Sequence, residues 1–378
     1  MQGPDLLLLQ CRDNEDTYAF MVHGNIYAPG LQGRLLKGDT VKKIIFARTM
    51  ELLASVVFVL TVTSAAVHAG PAVTQTFNLH PGWNAIFLEV QPEQNDMEVL
   101  LQGLPLAGIW TWVPRGIAMQ YVQDPSEKLL GIKGWHVYFP KSRGEVNLLS
   151  NLFALQANRA YLVEIQGNNN VTWTVTGRPS LRRQTWEPNS FNLTGFPINS
   201  TGSPSFAGFF AGSQAHAGQV IYRLSDAGIW ELVQNPAAVQ MRSGEAFWIY
   251  TEGASTYSGP IAVRTDFGDG LDFLKVINEN KLWIKNVSPS TKTVEVRYMP
   301  MGLPVPLVRL LVGPNGGITW PSFNAAETFT IAAGQEKLIT FSLNRAGMSA
   351  PRTESMIEIR DDAGSRYLVP VSAEKGGF

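Results

Sequence analysis

The tetrapeptide Ala-Gly-Ile-Trp is written twice in this chain, at 107–110 and again at 227–230. A repeat limits the possible folds more than any single residue does, because each copy must build the same kind of unit. The flanks repeat as well. Ahead of the first copy stands GWNAIFLEVQP (82–92) and ahead of the second SFNLTGFP (190–197); both read aromatic, Asn, apolar, then a short strand ending near proline. Behind them stand NRAYLVEI (158–165) and GEAFWIY (244–250), each a turn residue, a polar residue, Ala, an aromatic and a strand. Each copy closes on a further apolar strand, VTWTVTG (171–177) and GPIAVRT (259–265). Matched blocks in one order predict two related β-rich modules, 70–180 and 181–266, aligned on AGIW. The first carries an insertion around 115–150 in which GWHVYFP (134–140) reads as an additional strand. Short helical turns are expected at 97–103 and 205–211, placed alike ahead of AGIW.

Beyond residue 266 the pattern changes to longer strands. Val294-Glu295-Val296-Arg297-Tyr298 and Met356-Ile357-Glu358-Ile359-Arg360 alternate with the period of a strand. Asp361-Asp362-Ala363-Gly364 is a hairpin turn signal between two such runs. With 35 glycines and 23 prolines supplying turns in 378 residues, the fold class is mainly β: two related β-rich modules followed by an immunoglobulin-like β-sandwich over 267–378. On the motif LWIKNVS, the Gly334-Gln335 turn and the IEIRDDAG hairpin, residues 278–373 resemble bacterial immunoglobulin-like domains related to the major-sperm-protein and Ash families. That resemblance implies a structural or interaction module without catalysis, and it carries over no functional residue. The GWN-containing repeat resembles modules of large bacterial secreted proteins.

A basic stretch with Lys42, Lys43 and Arg48 precedes the apolar run 52–66, and Val67-His68-Ala69 fits a small-x-small cleavage site. The segment 41–69 therefore reads as a signal peptide, with a mature chain from about Gly70 that is secreted or held at the cell surface or in the periplasm. The run is short for a membrane helix, which needs roughly 20 apolar residues, so no stable membrane span is expected after cleavage. Residues 1–40 precede an export signal and are expected not to belong to the native protein, with translation starting at Val41 or Met50. Cys11, the single cysteine, falls in that stretch, leaving the mature chain no disulfide and no thiolate metal site. A net charge of −1 gives no field to attract nucleic acid.

The mature chain shows neither GxSxG nor HExxH nor GxxxxGK[ST], and His80, His136 and His216 each read as surface loop residues. The carboxylate pairs Glu89 with Glu164 and Asp124 with Glu127 have the residue types of a glycosidase and equally those of ordinary solvated side chains. Asp266, Asp269 and Asp272 lie three apart among glycines, which suits either an oxygen-lined calcium site or an acidic linker. No cofactor is expected. Of the 10 tryptophans, Trp83, Trp110, Trp230 and Trp248 fall in apolar strand blocks and are expected in the core. Trp112, expected to face away from Trp110, and Trp135 with Tyr138 are the candidate ligand contacts. The leading expectation is a non-enzymatic exported bacterial protein serving as an extracellular or cell-surface structural or interaction module, its partner a glycan or a protein. One alternative is a carbohydrate-binding accessory protein reading sugars through Trp112 and Trp135; another is a glycoside-active enzyme.

Overall fold

Short strands separated by turns make up 47% of the protein and helix 7%, so the chain is mainly β. The computed structural model describes residues 20–22, 25–27, 70–113, 134–181 and 185–376. The leader-like segment 41–69, Cys11, Asp124 and Glu127 lie outside them. The chain divides into two compact units, Met1–Val67 and His68–Phe378. In the first, β1 (Phe20–Val22) and β2 (Asn25–Tyr27) pair antiparallel.

The second unit opens with β3 (Val73–Leu79), β4 (Gly82–Leu88), β5 (Val90–Pro92), helix α1 (Met97–Leu100), β6 (Leu106–Trp112), β7 (Trp135–Tyr138), β8 (Arg159–Ile165) and β9 (Val171–Pro179). β4, β8, β6 and β7 form an antiparallel sheet in that order, and β3, β9 and β5 form a second sheet. Between them lies a core of Phe77, Ile86, Leu88, Ile109, Tyr161, Val163 and Trp173, closed by Met97 and Leu101 of the α1 turn. A second group follows: β10 (Ser190–Thr194), α2 (Phe206–Phe210), β11 (Ile221–Leu224), β12 (Trp230–Leu232) and β13 (Phe247–Thr251). Its sheet runs β10, β13, β11, β12, the same connectivity as β4, β8, β6, β7. Both helices start on a capped residue, Asp96 in one and Ser205 in the other, which supplies an acceptor for an otherwise unbonded first-turn amide.

The strand registers set the correspondence residue by residue. Asn84, Val163 and Ile109 lie side by side in the first sheet; Asn192, Ile249 and Ile221 do so in the second. Across the next row Ala85, Leu162, Trp110 and Val137 match Leu193, Trp248, Tyr222 and Leu232. Trp110 therefore corresponds to Tyr222, and Trp230 to Trp135, which pairs with Trp112 as Trp230 pairs with Leu224. The alignment on AGIW is corrected here: the two tetrapeptides occupy different places. The first lies in β6, where the Trp110 ring sits over Gly108 and a Cβ there would meet it at 2.6 Å. The second lies in the β11–β12 turn, where Gly228 takes φ 76°. One needs glycine for space and the other for a left-handed backbone. β7 is likewise no addition, since β12 is its counterpart.

The remaining strands build a sandwich. β14 (Ile261–Thr265), β16 (Glu279–Asn286), β22 (Glu336–Leu343) and β18 (Leu307–Arg309) form one sheet; β15 (Leu271–Phe273), β24 (Arg366–Glu374), β23 (Arg352–Asp361), β17 (Lys292–Met301) and β21 (Ala326–Ile331) form the other. The alternation of β17 buries Val294, Val296 and Tyr298 between them. β14, which the sequence places with the second module, pairs with β16 and belongs to the sandwich. A small hairpin, β19 (Leu311–Val312) with β20 (Ile318–Thr319), stands apart from both sheets.

Candidate functional site

The tryptophans decide what the first two groups do to each other. Along β6, residues two apart share a face, so Trp112 lies beside Trp110 and not opposite it, against the expectation from the sequence. That face and its counterpart pack together. Trp110, Trp135, Val137 and Leu162 of the first sheet meet Trp230 and Trp248 of the second, with Trp83, Trp112, Phe191 and Tyr222 half-buried around them. Trp248 stands edge-on to Trp112, Trp135 and Trp230 at 6.4, 6.2 and 6.2 Å. Two backbone bonds join the sheets at their rim, Phe87 N–H to Gly244 carbonyl at 2.8 Å and Ala246 N–H to Ala85 carbonyl at 3.1 Å. Trp135 is only 5% exposed, so it is a packing residue and not an open platform for a sugar ring. Tyr138 is buried too, and its hydroxyl donates to Glu98 at 2.6 Å; burial and then that carboxylate raise its pKa. Trp83, half-buried, is less enclosed than the core position expected of it.

The other sequence candidates are also accounted for by structure. Asp266 accepts from the Lys281 amide, Asp269 from the Ser180 hydroxyl at 2.7 Å, and Asp272 from Ser372 at 2.6 Å while facing Arg178 at 3.4 Å. The acidic triplet thus ties the first module to the sandwich, and no group of three or more potential metal ligands occurs among the described residues. His80 and His136 are half-buried; His80 lies in the turn before β4, and His136 lies within strand β7 and not in a loop. His216, also read as a loop residue, is buried: its ring bonds Ser213 at 2.7 Å and Thr251 at 3.2 Å and lies 4.0 Å from Trp186. Burial pulls its pKa down to about 4. The aromatic residues that enclose it, Trp186, Phe210 and Tyr257, come from three separated segments, so the linear pattern carries no sign of it.

The open surface that remains is a cleft of about 730 Å³ where the second module meets the sandwich. One wall is the outer face of β14, β16 and β22. Ala262, Lys285 and Glu336 lie abreast there, and Arg264 stacks on Trp283 at 4.0 Å while reaching Glu336 at 3.1 Å. The opposite wall is made of small and hydroxyl side chains at 212–215 and 254–258. Tyr367 closes the floor, donating to the Ser258 carbonyl at 2.8 Å. A neighbouring cavity of about 200 Å³ shares Asn158, Ser180, Leu181, Pro197 and Tyr367 with it and adds Glu89 and Arg366. Glu89 sits on the bend between β4 and β5 with its carboxyl pushed up to about 7 by burial, against the pull of Arg366. Asn158, Phe196, Pro197, Ala262 and Arg264 stand in strand blocks of the sequence and Glu89 among its carboxylates, but nothing in the linear pattern brings them to one cleft, because its other walls are hydroxyl and small residues on loops that carry no periodic signal.

No protein-family model matches the chain, and no curated protein does. Solved structures match it only loosely. The ASH/PapD-like domain 7 of human CEP192 aligns at 6% identity over 32% of this chain and 87% of its own, with a TM-score of 0.20. The Enterococcus faecalis MSCRAMM ACE aligns at 8% identity over 82% and 91%, with a TM-score of 0.18. An Amycolatopsis orientalis exo-chitosanase aligns at 11% over 80% and 25%, with a TM-score of 0.17. No site residue is taken from them.

Proposed function

We propose that this chain is an exported, non-catalytic interaction module that holds its ligand in the cleft between the second module and the sandwich. The cleft itself carries this reading. It is a concave surface of about 730 Å³, it lies at a junction between units, where ligand sites commonly form, and its walls come from strands and short loops. The leader-like segment 41–69 supports export. Trp110, Trp112, Trp135, Trp230 and Trp248, which otherwise suggest a binding face, are consumed by packing between the two modules. Filling the cleft is the test: Ala262→Trp and Ser255→Trp are expected to abolish binding to a cell-surface or extracellular extract while leaving thermal unfolding unchanged. Retained binding in both variants would move the site elsewhere on the molecule.

The chemistry of the walls favours a saccharide ligand within this reading. Ser255, Thr256 and Ser258 present hydroxyls and Gln214 an amide, groups that exchange hydrogen bonds with sugar hydroxyls in either direction. A glycan array separates the possibilities: glycan binding lost in Ala262→Trp supports a sugar, and binding to protein alone replaces it.

A further inference from the structure

The cleft between the second module and the sandwich offers hydrogen-bond donors from both walls and no free carboxylate. Three charged side chains line it among the described residues: Arg264, Lys285 and Glu336. Glu336 already accepts from the Arg264 guanidinium at 3.1 and 3.3 Å, and that guanidinium is stacked on the Trp283 ring. Lys285 stands abreast of Glu336 on the next strand and closes no ion pair with another described residue. It is exposed, so this wall carries one uncompensated positive charge. Glu89 lines the neighbouring cavity and not the cleft itself.

The loop on the facing wall has its acceptors turned away from the ligand space. Its carbonyls are used inside the protein: Tyr257 accepts from the Trp186 indole at 2.7 Å and Ser258 from the Tyr367 hydroxyl at 2.8 Å. The Tyr257 amide closes on the Ser255 hydroxyl at 3.1 Å. The amides of Ala254, Ser255, Thr256 and Ser258 meet no acceptor among the described residues, and all four residues reach solvent along the cleft. A backbone N–H outside a helix or a sheet ladder still needs a partner. Four such donors line one cleft with an ammonium on the other wall. Their complement is an oxygen that carries negative charge, to which N–H bonds are shorter and about twice as strong as to a neutral one.

We propose that the ligand of this cleft is an acidic saccharide, whose carboxylate is taken by Lys285 and the amides of 254–258. A neutral sugar leaves the Lys285 charge unanswered, and a basic one is repelled by it. The inference rests on the cleft being the binding site and adds the charge of what it binds.

The experiment is titration calorimetry of the purified full chain with oligomers of galacturonate, glucuronate and mannuronate. Each is run beside its carboxyl-reduced form, which keeps the hydroxyls and loses the charge. At least one acidic oligomer is expected to bind roughly tenfold more tightly than its reduced form, the scale of one charge-assisted hydrogen bond, and added salt should narrow the gap. Lys285→Gln is expected to remove the gap and to leave binding of the reduced form as it was. Lys281→Gln takes the same charge from the same face of the strand, outside the cleft, and should leave the gap intact. Both lysines are exposed, so equal thermal midpoints will show the variants folded. Amide exchange over 254–258 should slow when the acidic oligomer is added. Equal affinity for acidic and reduced forms, a gap that survives Lys285→Gln, or no binding of any acidic oligomer overturns the proposal. Where Ala262→Trp still abolishes binding of a neutral sugar, the cleft itself stands; binding that survives Ala262→Trp overturns both readings. Binding of oligoglutamate in place of every saccharide, lost in Lys285→Gln, would overturn it in favour of an acidic peptide.

Discussion

Asn84 and Asn192 hold the same bend in two modules. Each is buried, and each amide bonds both ways to one residue upstream: Asn84 to the His80 N–H at 2.9 Å and carbonyl at 2.8 Å, Asn192 to the Glu187 N–H at 2.9 Å and carbonyl at 3.0 Å. Each also reaches the carbonyl two residues back, at Gly82 and Ser190, both at 3.1 Å. An amide can donate and accept at once, so Asp or Leu in its place leaves buried backbone groups unbonded. Asn84→Ala and Asn192→Ala are each expected to cost about 3 kcal/mol in urea unfolding, since more than one buried group loses its partner at about 1–3 kcal/mol apiece. Two exposed-site controls should stay within about 0.5 kcal/mol. His216 makes a second prediction at this scale. Its folded pKa, near 4, is depressed below the value of 6.5 for a free imidazole, so the unfolded chain takes up the proton first. Its contribution is intact above pH 6.5 and drains away as pH falls towards 4, by about 3 kcal/mol in all. His216→Gln should flatten that part of the stability profile in denaturation at pH 7 and pH 4.5.

At the scale of elements, one tetrapeptide serves as strand in β6 and as turn before β12, and its glycines separate the two uses. Asn tolerates a left-handed backbone better than Ala does, whereas any added bulk at 108 must displace the Trp110 ring. Gly228→Asn is therefore expected to unfold at a higher temperature than Gly228→Ala, which should lose about 1–2 kcal/mol. At 108 the order reverses, with Asn worse than Ala and even Ala losing about 1–3 kcal/mol. The same order at both sites would mean that the two glycines are equivalent after all. This contrast also marks what the sequence made legible. The GWN and Ala-aromatic blocks pair Asn84 with Asn192 and Ala160 with Ala246, positions that also fall at matching places in the two sheets. The AGIW match was misleading, because four identical residues satisfy a buried strand and a tight turn equally well. The sandwich strands were readable from period-two alternation. The assignment of β14 was not, since an edge strand of five residues carries no label for the sheet it will join. The cleft stayed hidden because its walls come from segments far apart in the chain and rich in small hydroxyl residues.

At the scale of the whole molecule, three β units are held by contacts that differ in kind. The first two meet through tryptophan faces, and Trp248, fully enclosed there, should cost about 3–5 kcal/mol as Trp248→Ala. The sandwich is joined by Val287 and Leu181 packing across the joint and by several polar links. The Ile198–Ser365 bridge and the bonds of Asn199 and Arg366 to Gly364 and Pro197 fasten it to the second module, and Arg178–Asp272 and Ser180–Asp269 fasten it to the first. Arg366 anchors this junction through buried Glu358, whose carboxyl burial would raise but Arg366 and Arg360 together hold below its usual range. Glu89, facing Arg366 from the first module, is a group whose ionisation is opposed by its surroundings. Its folded pKa of about 7 exceeds the 4.5 of a free glutamate. The folded state therefore holds the extra proton between those values, and the resulting stability is complete below pH 4.5 and lost as pH rises through 7. Glu89→Gln keeps the shape and removes the charge. It is expected to match wild type near pH 4.5 and to be more stable at pH 8, with the gain growing steadily between. Limited proteolysis of the junction loops should slow in the variant at pH 8 and not at pH 4.5. An equal gain at both pH values would mean that the glutamine helps by packing alone, and that the carboxyl of Glu89 does not make this junction sensitive to protons.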